Sequence, residues 1–522
     1  MKAASILNHV LGPVMRGPSS SHTAGAYHIA SLARDLLGQS PVRARFRFDR
    51  HGSYAHTYAQ QGADRAFAMG LRGRPLTDET FFSCLLEPGL DIRFDVGDLP
   101  GADHPNAVDI VLSSLDGKEL ELSARSIGGG EVEILRVDEW SVHLCGTAFE
   151  ALVEIPVALA EQVEAILAAD DRCLESPIME RKGDRALVLA HREATLPEGA
   201  RREFDALPGC AWREAGPVYY LQTGAPLFSC AGEMVAMAES RHLSLGRLAL
   251  AYEAQRLGLT DDQIVSETVR RYRIMQQAVR RGLAPDMGGM QLLEPSAGSV
   301  MRACQEGRLA VGGLHARAAA RALAVMHVNS AMGVVCAAPT GGSAGTLPGV
   351  VVTLAEERGL PEEEAALLLL AAGLIGVFVS NRATFAAEVA GCQVEIGAAG
   401  AMAAAAVMEA AGGSARQAAD AAAIAFQNTM GSVCDPVQGM VEIPCHTRNA
   451  LAASSAFVCA DLVLGGYRNP VPLDETIDAV HAVGKMLPSE LRCTAKGGLA
   501  LAPSALRLCP KCPGNTGAES QA

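Results

Sequence analysis

Alanine dominates the stretch from residue 398 to residue 425, and that run constrains everything around it. Alanine favours helix and adds little bulk beyond the backbone. A helix made of it can sit at the centre of a bundle with its neighbours packed close. Composition fits this picture. Hydrophobic residues make up 49% of the chain but aromatic residues only 4%, so small side chains must do much of the packing. Three cysteines flank the run: Cys392 before it, Cys434 and Cys445 after it. Each lies close to a glycine or proline, where the backbone turns and a thiolate can point into a pocket.

Spacing alone leaves two readings of these cysteines open. Their intervals match neither the zinc C-x-x-C pattern nor the ferredoxin runs, and a free cysteine is also a common small buried hydrophobe. If the three converge, they can hold three irons of a [4Fe–4S] cluster and leave the fourth open to substrate.

The 522 residues call for two or three domains. A net charge of −14 argues against nucleic-acid and anionic-membrane partners. The 14 cysteines are unevenly spaced and do not resemble a secreted disulfide framework. Near the N-terminus Asn8, His9 and Pro13 interrupt the apolar residues and no small-residue cleavage pattern follows, so no signal peptide is expected. The longest apolar run, 365–379, is 15 residues, short of the roughly 20 that span a bilayer, and reads as a buried helix. These features together predict a cytoplasmic protein.

The pattern along the chain predicts an α+β N-terminal domain over 1–144. In it Gly17-Pro18-Ser19-Ser20-Ser21-His22-Thr23 leads into an amphipathic helix at 24–37. Hydroxyls and free N–H groups at a helix start suit a substrate carboxylate, and equally suit ordinary capping. Residues 42–48 alternate as a half-buried strand, and Asp116-Gly117 marks a hairpin. Over 145–222 the order strand–helix–strand–strand–helix–strand is ferredoxin-like. From 223 to 506 the chain reads as almost all helical, broken by a loop at 337–349 that contains Thr340-Gly341-Gly342-Ser343. That loop lacks the Gly-Lys-[Ser/Thr] of a P-loop. A tail, 507–522, carries Cys509 and Cys512.

Three segments carry a family resemblance: Asn381-Arg382-Ala383, Glu388 through Gly397, and Cys434-Asp435-Pro436-Val437-Gln438-Gly439-Met440-Val441-Glu442-Ile443-Pro444-Cys445. They resemble the α region of iron–sulfur L-serine dehydratases. The Pro-Ser-Ser-Ser-His-Thr run and the Gly52-Ser53 segment resemble the β region of that family, and 145–222 weakly resembles an amino-acid-sensing ACT domain. The resemblance implies a [4Fe–4S] cluster on Cys392, Cys434 and Cys445. It implies elimination of L-serine to pyruvate and ammonia, with a small amino-acid substrate as partner; the chain is expected to form a homodimer. Ser19, Ser20, Ser21, Thr23, Thr340, Gly341, Gly342, Ser343 and Asn381 would bind that substrate. Cys493, Cys509 or Cys512 could supply the C-terminal cysteine that some members place on the open iron.

One position departs from the family. Gln61 stands where a histidine, a natural general base, is expected, and glutamine cannot accept the proton. His56 is then the expected base and His22 a carboxylate-side group, or the substrate differs. The alternatives are a related lyase acting on threonine or cysteine, and a non-catalytic iron–sulfur or amino-acid sensor. A pyridoxal-phosphate route needs a Schiff-base lysine. Of the six lysines only Lys496 lies near a glycine pair, and the strong motifs do not surround it.

Overall fold

A computed structural model describes residues 4–510, which form two compact bodies. Residues 4–20 and 225–510 make one, and residues 21–224 the other. The chain opens with a short strand, β1 (Val14–Arg16).

The sheet body begins with a helix, Ala24–Leu37, ended by Gly38 in the left-handed conformation. Its larger sheet contains β2 (Pro41–Asp49), β3 (Asp91–Gly97), β4 (Ala107–Ser114), β5 (Glu119–Gly128), β6 (Glu131–Val137) and β7 (Trp140–Leu144). The strand order is β3-β2-β4-β5-β6-β7, with β2 and β3 parallel and the other pairs antiparallel. Alternation in β2 sends Ala44, Phe46 and Phe48 inward, where Phe46 lies 4.4 Å, centroid to centroid, from Phe67 of the helix Ala63–Arg72. The arginines of β2 take the opposite face, as its sequence pattern requires.

A smaller sheet follows, made of β8 (Phe149–Pro156), β9 (Ile178–Lys182), β10 (Arg185–Arg192) and β11 (Ala211–Ala215). Its order is β11-β8-β10-β9, antiparallel throughout. Val153, Ile155 and Val188 pack with Val163 and Leu167 of the helix Ala160–Ala168 and Phe204 of the helix Glu198–Ala206. The third element of the expected order is β9. It starts at Ile178, because Cys173 and Leu174 pair with Arg192 and His191 outside the strand.

The remaining body is helical apart from two short strands among the described residues, β1 and β12 (Val334–Cys336), which pair antiparallel. The first described residues are embedded in it. Ile6–Val10 form a buried π-helical turn whose backbone is held by two buried charges. Glu253 accepts from Ser5 Oγ at 2.5 Å and from the N–H groups of Ile6 and Leu7 at 2.8 Å each. Arg271 donates to the carbonyls of Leu7, at 2.6 Å, and Leu11. A Cβ on Gly373 would lie 2.4 Å from Ile6, and one on Gly376 2.2 Å from Val10, so only glycine lets the turn pack against the helix Glu362–Arg382. That helix is long and apolar enough to cross a membrane by composition, yet 78% of its apolar window is buried inside the protein. The alanine run forms two helices, Ile396–Ala410 and Ala415–Thr429; the first is buried from Ile396 to Met408 and packed on four neighbours: Thr346–Arg358, Glu362–Arg382, Ala415–Thr429 and Cys445–Leu464. Its small side chains permit that many close neighbours.

Candidate functional site

Cys392, Cys434 and Cys445 are all buried in the helical body. Cys392 opens a single 3₁₀ turn, Cys392–Val394, after Gly391. Cys434 lies in an extended segment that pairs with the C-terminal strap. Its N–H donates to Leu491 O at 2.9 Å, and its carbonyl accepts from Cys493 N–H at 2.8 Å. Cys445 is the first residue of the helix Cys445–Leu464. That start puts Cys445, Arg448 and Asn449 on one helical face, one turn apart.

The sulfurs of Cys392 and Cys434 and a carboxylate oxygen of Glu395 lie within 4.8 Å of one another. Cys493 brings a third sulfur 3.0 Å from that of Cys434, while Cys445 lies outside this 4.8 Å group. Arg448 places Nη1 3.6 Å from the Cys392 sulfur, donates to Val433 O at 2.8 Å, and pairs with Asp435 at 2.9 Å. A hydrogen bond from Cys434, aided by Arg448, holds the Cys392 thiol below its usual range. Burial pushes the Cys445 thiol far up, helped by the charge at Cys392. The protein's own charges therefore favour one thiolate here. A cationic metal centre is the kind of group that lets buried neighbouring thiols ionise together, and soft sulfur donors select iron–sulfur, zinc or copper(I) over magnesium or calcium. The donor set thus fits a metal cluster.

The loop at 340–345 sits against this cluster. Thr340 caps the 3₁₀ turn Gly341–Ser343, and its hydroxyl lies 3.1 Å from that of Ser343. Gly341 lies tight against the serine run: a Cβ there would be 2.9 Å from Pro18 O and 3.1 Å from Ser20 N. A Cβ on Gly342 would be 3.2 Å from the Glu395 carboxylate. The structure therefore brings Ser20, Gly341, Gly342 and Glu395 together. Asn449 fixes the loop. Its Oδ1 accepts from the N–H groups of Gly345 and Thr346 at 3.2 and 3.1 Å, and its Nδ2 donates to the carbonyls of Gly342 and Cys445, both at 2.9 Å. Asn381 has a different contact: its Oδ1 accepts from the Ala4 N–H at 2.9 Å.

In the sheet body His22 and Thr23 are buried just before the first helix, as is Ser21. His22 Nε2 lies 2.7 Å from Thr57 Oγ1, whose own proton goes to Ser53 O at 2.7 Å. The threonine oxygen can then only accept, so the proton of His22 sits on Nε2. Tyr54 packs edge-on against the ring at 5.0 Å. Burial lowers the His22 pKa to about 3, so the ring is neutral at working pH. His56, on the same short helix Ser53–Thr57, is exposed, and Gln61 is half-buried beyond it.

Sequence reasoning missed Glu395, Arg448 and Asn449 as site residues. Glu395 and Asn449 lie within or beside the quoted motifs, but only the fold shows what they face. Burial raises the Glu395 carboxyl well above the usual range, and the charges of Cys392 and Glu388 add to this, so it carries a proton beside the thiols. Cys493 adjoins the site, Cys509 is exposed, and Cys512 lies outside the described residues.

Residues 240–500 match the family model for the serine dehydratase alpha chain. A probable L-serine dehydratase alpha chain of Bacillus subtilis is 36% identical over 282 residues, which cover 54% of this chain and 94% of that one. The corresponding protein of Latilactobacillus sakei is 44% identical over 187 residues, 36% of this chain and 90% of that one. The L-serine dehydratase alpha chain of Peptoniphilus asaccharolyticus is 34% identical over 275 residues, 52% and 94%. The helical body, matched over this span, is that of an α-type dehydratase chain. The protein belongs to the serine dehydratase alpha chain family.

Proposed function

We propose that this protein is an L-serine ammonia-lyase that eliminates water from L-serine to give pyruvate and ammonia, using a [4Fe–4S] cluster held by Cys392, Cys434 and Cys445. The observation that carries this reading is the convergence of the buried Cys392 and Cys434 sulfurs with Glu395 beside the Thr340–Ser343 loop, in a chain similar to several L-serine dehydratases. When bound, such a cluster supplies a Lewis-acidic iron for the β-hydroxyl that must leave.

The chain's own residues perform the rest. The backbone N–H groups around Gly341 and Gly342, with the hydroxyls of Ser19, Ser20, Thr340 and Ser343, hold the substrate's carboxylate and amine. Asn449 keeps that loop in register with the cysteine helix, so positioning costs no reorganisation during the reaction. His56 accepts the α-proton. His22, with Nε2 committed to Thr57, orients the substrate carboxylate side together with Ser21 and Thr23. The aminoacrylate product then tautomerises and hydrolyses to pyruvate and ammonia.

Three further assignments belong to this reading. Residues 1–144, of which 21–144 lie in the sheet body, correspond to a fused β region. The four-stranded unit within 145–222 is ferredoxin-like, as its βαββαβ order and its β11-β8-β10-β9 sheet support, and serves as an ACT-like module. The chain is cytoplasmic and homodimeric. For the dimer, support comes from Leu451, Val458 and Leu462, exposed at 70%, 56% and 46% along one side of the helix Cys445–Leu464.

The test is anaerobic assay of pyruvate from L-serine, with L-threonine and L-cysteine in parallel. His56→Ala should abolish turnover with the cluster spectrum unchanged, and His22→Ala should mainly raise KM. Pyruvate formation by His56→Ala within a few-fold of the parent removes His56 as the base. Absence of turnover with every amino acid, in protein that retains its iron, favours the sensor.

A further inference from the structure

The sheet body carries a second set of sulfur, nitrogen and oxygen donors. β6 and β7 pair antiparallel with Ile134 opposite Leu144. One step outward, Glu133 comes opposite Cys145, and His143 lies two residues from Cys145 on the same face of the strand. This is the outer face: Val132, Ile134, Val142 and Leu144 point into the core, while Glu133 and Cys145 are half-buried and His143 is exposed.

The donor atoms are already spaced for a metal. Glu133 Oε1 lies 3.1 Å from His143 Nε2, Cys145 Sγ lies 3.6 Å from the same nitrogen, and all three lie within 4.8 Å of one another. Zinc bonds of about 2.0 Å to nitrogen and oxygen and about 2.3 Å to sulfur, at tetrahedral angles, separate N and O ligands by about 3.3 Å and N and S ligands by about 3.6 Å. The second carboxylate oxygen of Glu133 accepts from Arg125 Nε at 2.6 Å, which turns Oε1 toward the histidine. Arg125 is itself held by both oxygens of Asp103 at 2.7 Å. A carboxylate ligand steadied by an outer partner is a recurrent feature of metal sites. Two anionic donors and Asp103 outweigh the single charge of Arg125.

We propose that Glu133, His143 and Cys145 form a zinc site, independent of the cysteine centre, with three protein ligands and a fourth position for water. A mixed sulfur, imidazole and carboxylate set suits zinc over magnesium or calcium. Bound there, the ion ties the end of β7, where the chain leaves the larger sheet for β8, to its neighbour β6. Sequence scanning misses this site because the spacing 133, 143, 145 follows no zinc motif; strand register creates it.

The test uses anaerobic, iron-loaded protein, so that the cysteine centre of the helical body is occupied. It is equilibrated with zinc sulfate, gel-filtered and analysed for zinc, with affinity measured by calorimetry. The parent should retain about one zinc per chain, and X-ray absorption at the zinc edge should show one sulfur neighbour at about 2.3 Å. His143→Ala and Cys145→Ala should each bind at least about a hundredfold more weakly, with the iron content unchanged. The proposal is overturned if the parent retains no zinc. It is equally overturned if both variants retain as much zinc as the parent, or if the absorption edge shows no sulfur ligand.

Discussion

The two sulfur-bearing clusters are built in opposite ways. In the sheet body Glu133, His143 and Cys145 meet because two neighbouring strands pair, and a span of thirteen residues contains them all. In the helical body Cys392, Cys434, Cys445 and Cys493 come from four separate segments, and no single element places any two of them. Register does for the first what a set of long-range polar ties does for the second: Asn449 to the 342–346 loop, Arg448 to Val433 and Asp435, and the backbone pairing of Cys434 with Leu491 and Cys493. A centre assembled this way should be sensitive to residues that never touch the substrate, and a register-built site should not.

The largest effect expected is at the sulfurs themselves. Cys392→Ser or Cys434→Ser should remove iron and cut pyruvate formation by at least about a thousandfold, the scale of several kcal/mol of lost Lewis-acid stabilisation. Iron analysis and an anaerobic lactate-dehydrogenase-coupled assay check this together. Zinc retention at the strand site should be unaffected by either change.

Next comes the tie that no substrate contacts. Asn449→Ala leaves the buried N–H groups of Gly345 and Thr346 and the carbonyl of Gly342 without that partner. An unfolding penalty of roughly 2–4 kcal/mol should follow, with a fall in kcat for serine. Denaturant unfolding and steady-state kinetics read the two. If stability and kcat both stay at the parent's values, the contrast between the two modes of construction fails.

A smaller effect concerns pH in the sheet body. Burial lowers His22 to about 3 and His28 to about 4. A histidine whose folded pKa is depressed gives its full contribution above the unfolded value of about 6.5, and loses it as pH falls toward the folded value. Stability should therefore drop by about 1.4 kcal/mol per pH unit for each of these rings between about pH 6.5 and 4. His28→Gln should reduce that slope by about one ring's share. Chemical denaturation across this range measures it, and an unchanged slope would show that His28 does not ionise on unfolding.

Much of the helical body could be read from the chain. The alanine run gave the central helix, and Ser414 with Gln417 makes a capping box at the start of the next. The glycine–proline surroundings of the cysteines marked them for attention, as did the resemblance. Other features depended on contacts between distant residues. Nothing local announced that Ile6–Val10 would be buried among the helices, because the reason lies in Glu253, Arg271, Gly373 and Gly376. The helix Cys445–Leu464 opens on Cys445 and His446, whose buried face only the fold reveals. Glu395 likewise carries no local sign that the fold sets it beside Cys392.

The central claim is that Cys392, Cys434 and Cys445 hold an iron–sulfur cluster that acts on L-serine. Mössbauer spectroscopy of anaerobic, iron-57-loaded protein, with and without L-serine, tests it most directly. The account predicts about four irons per chain, one of them shifting its signal when serine is added, and loss of the spectrum in Cys434→Ser. Stoichiometric zinc in place of iron, or an iron spectrum that serine leaves unchanged, would contradict it.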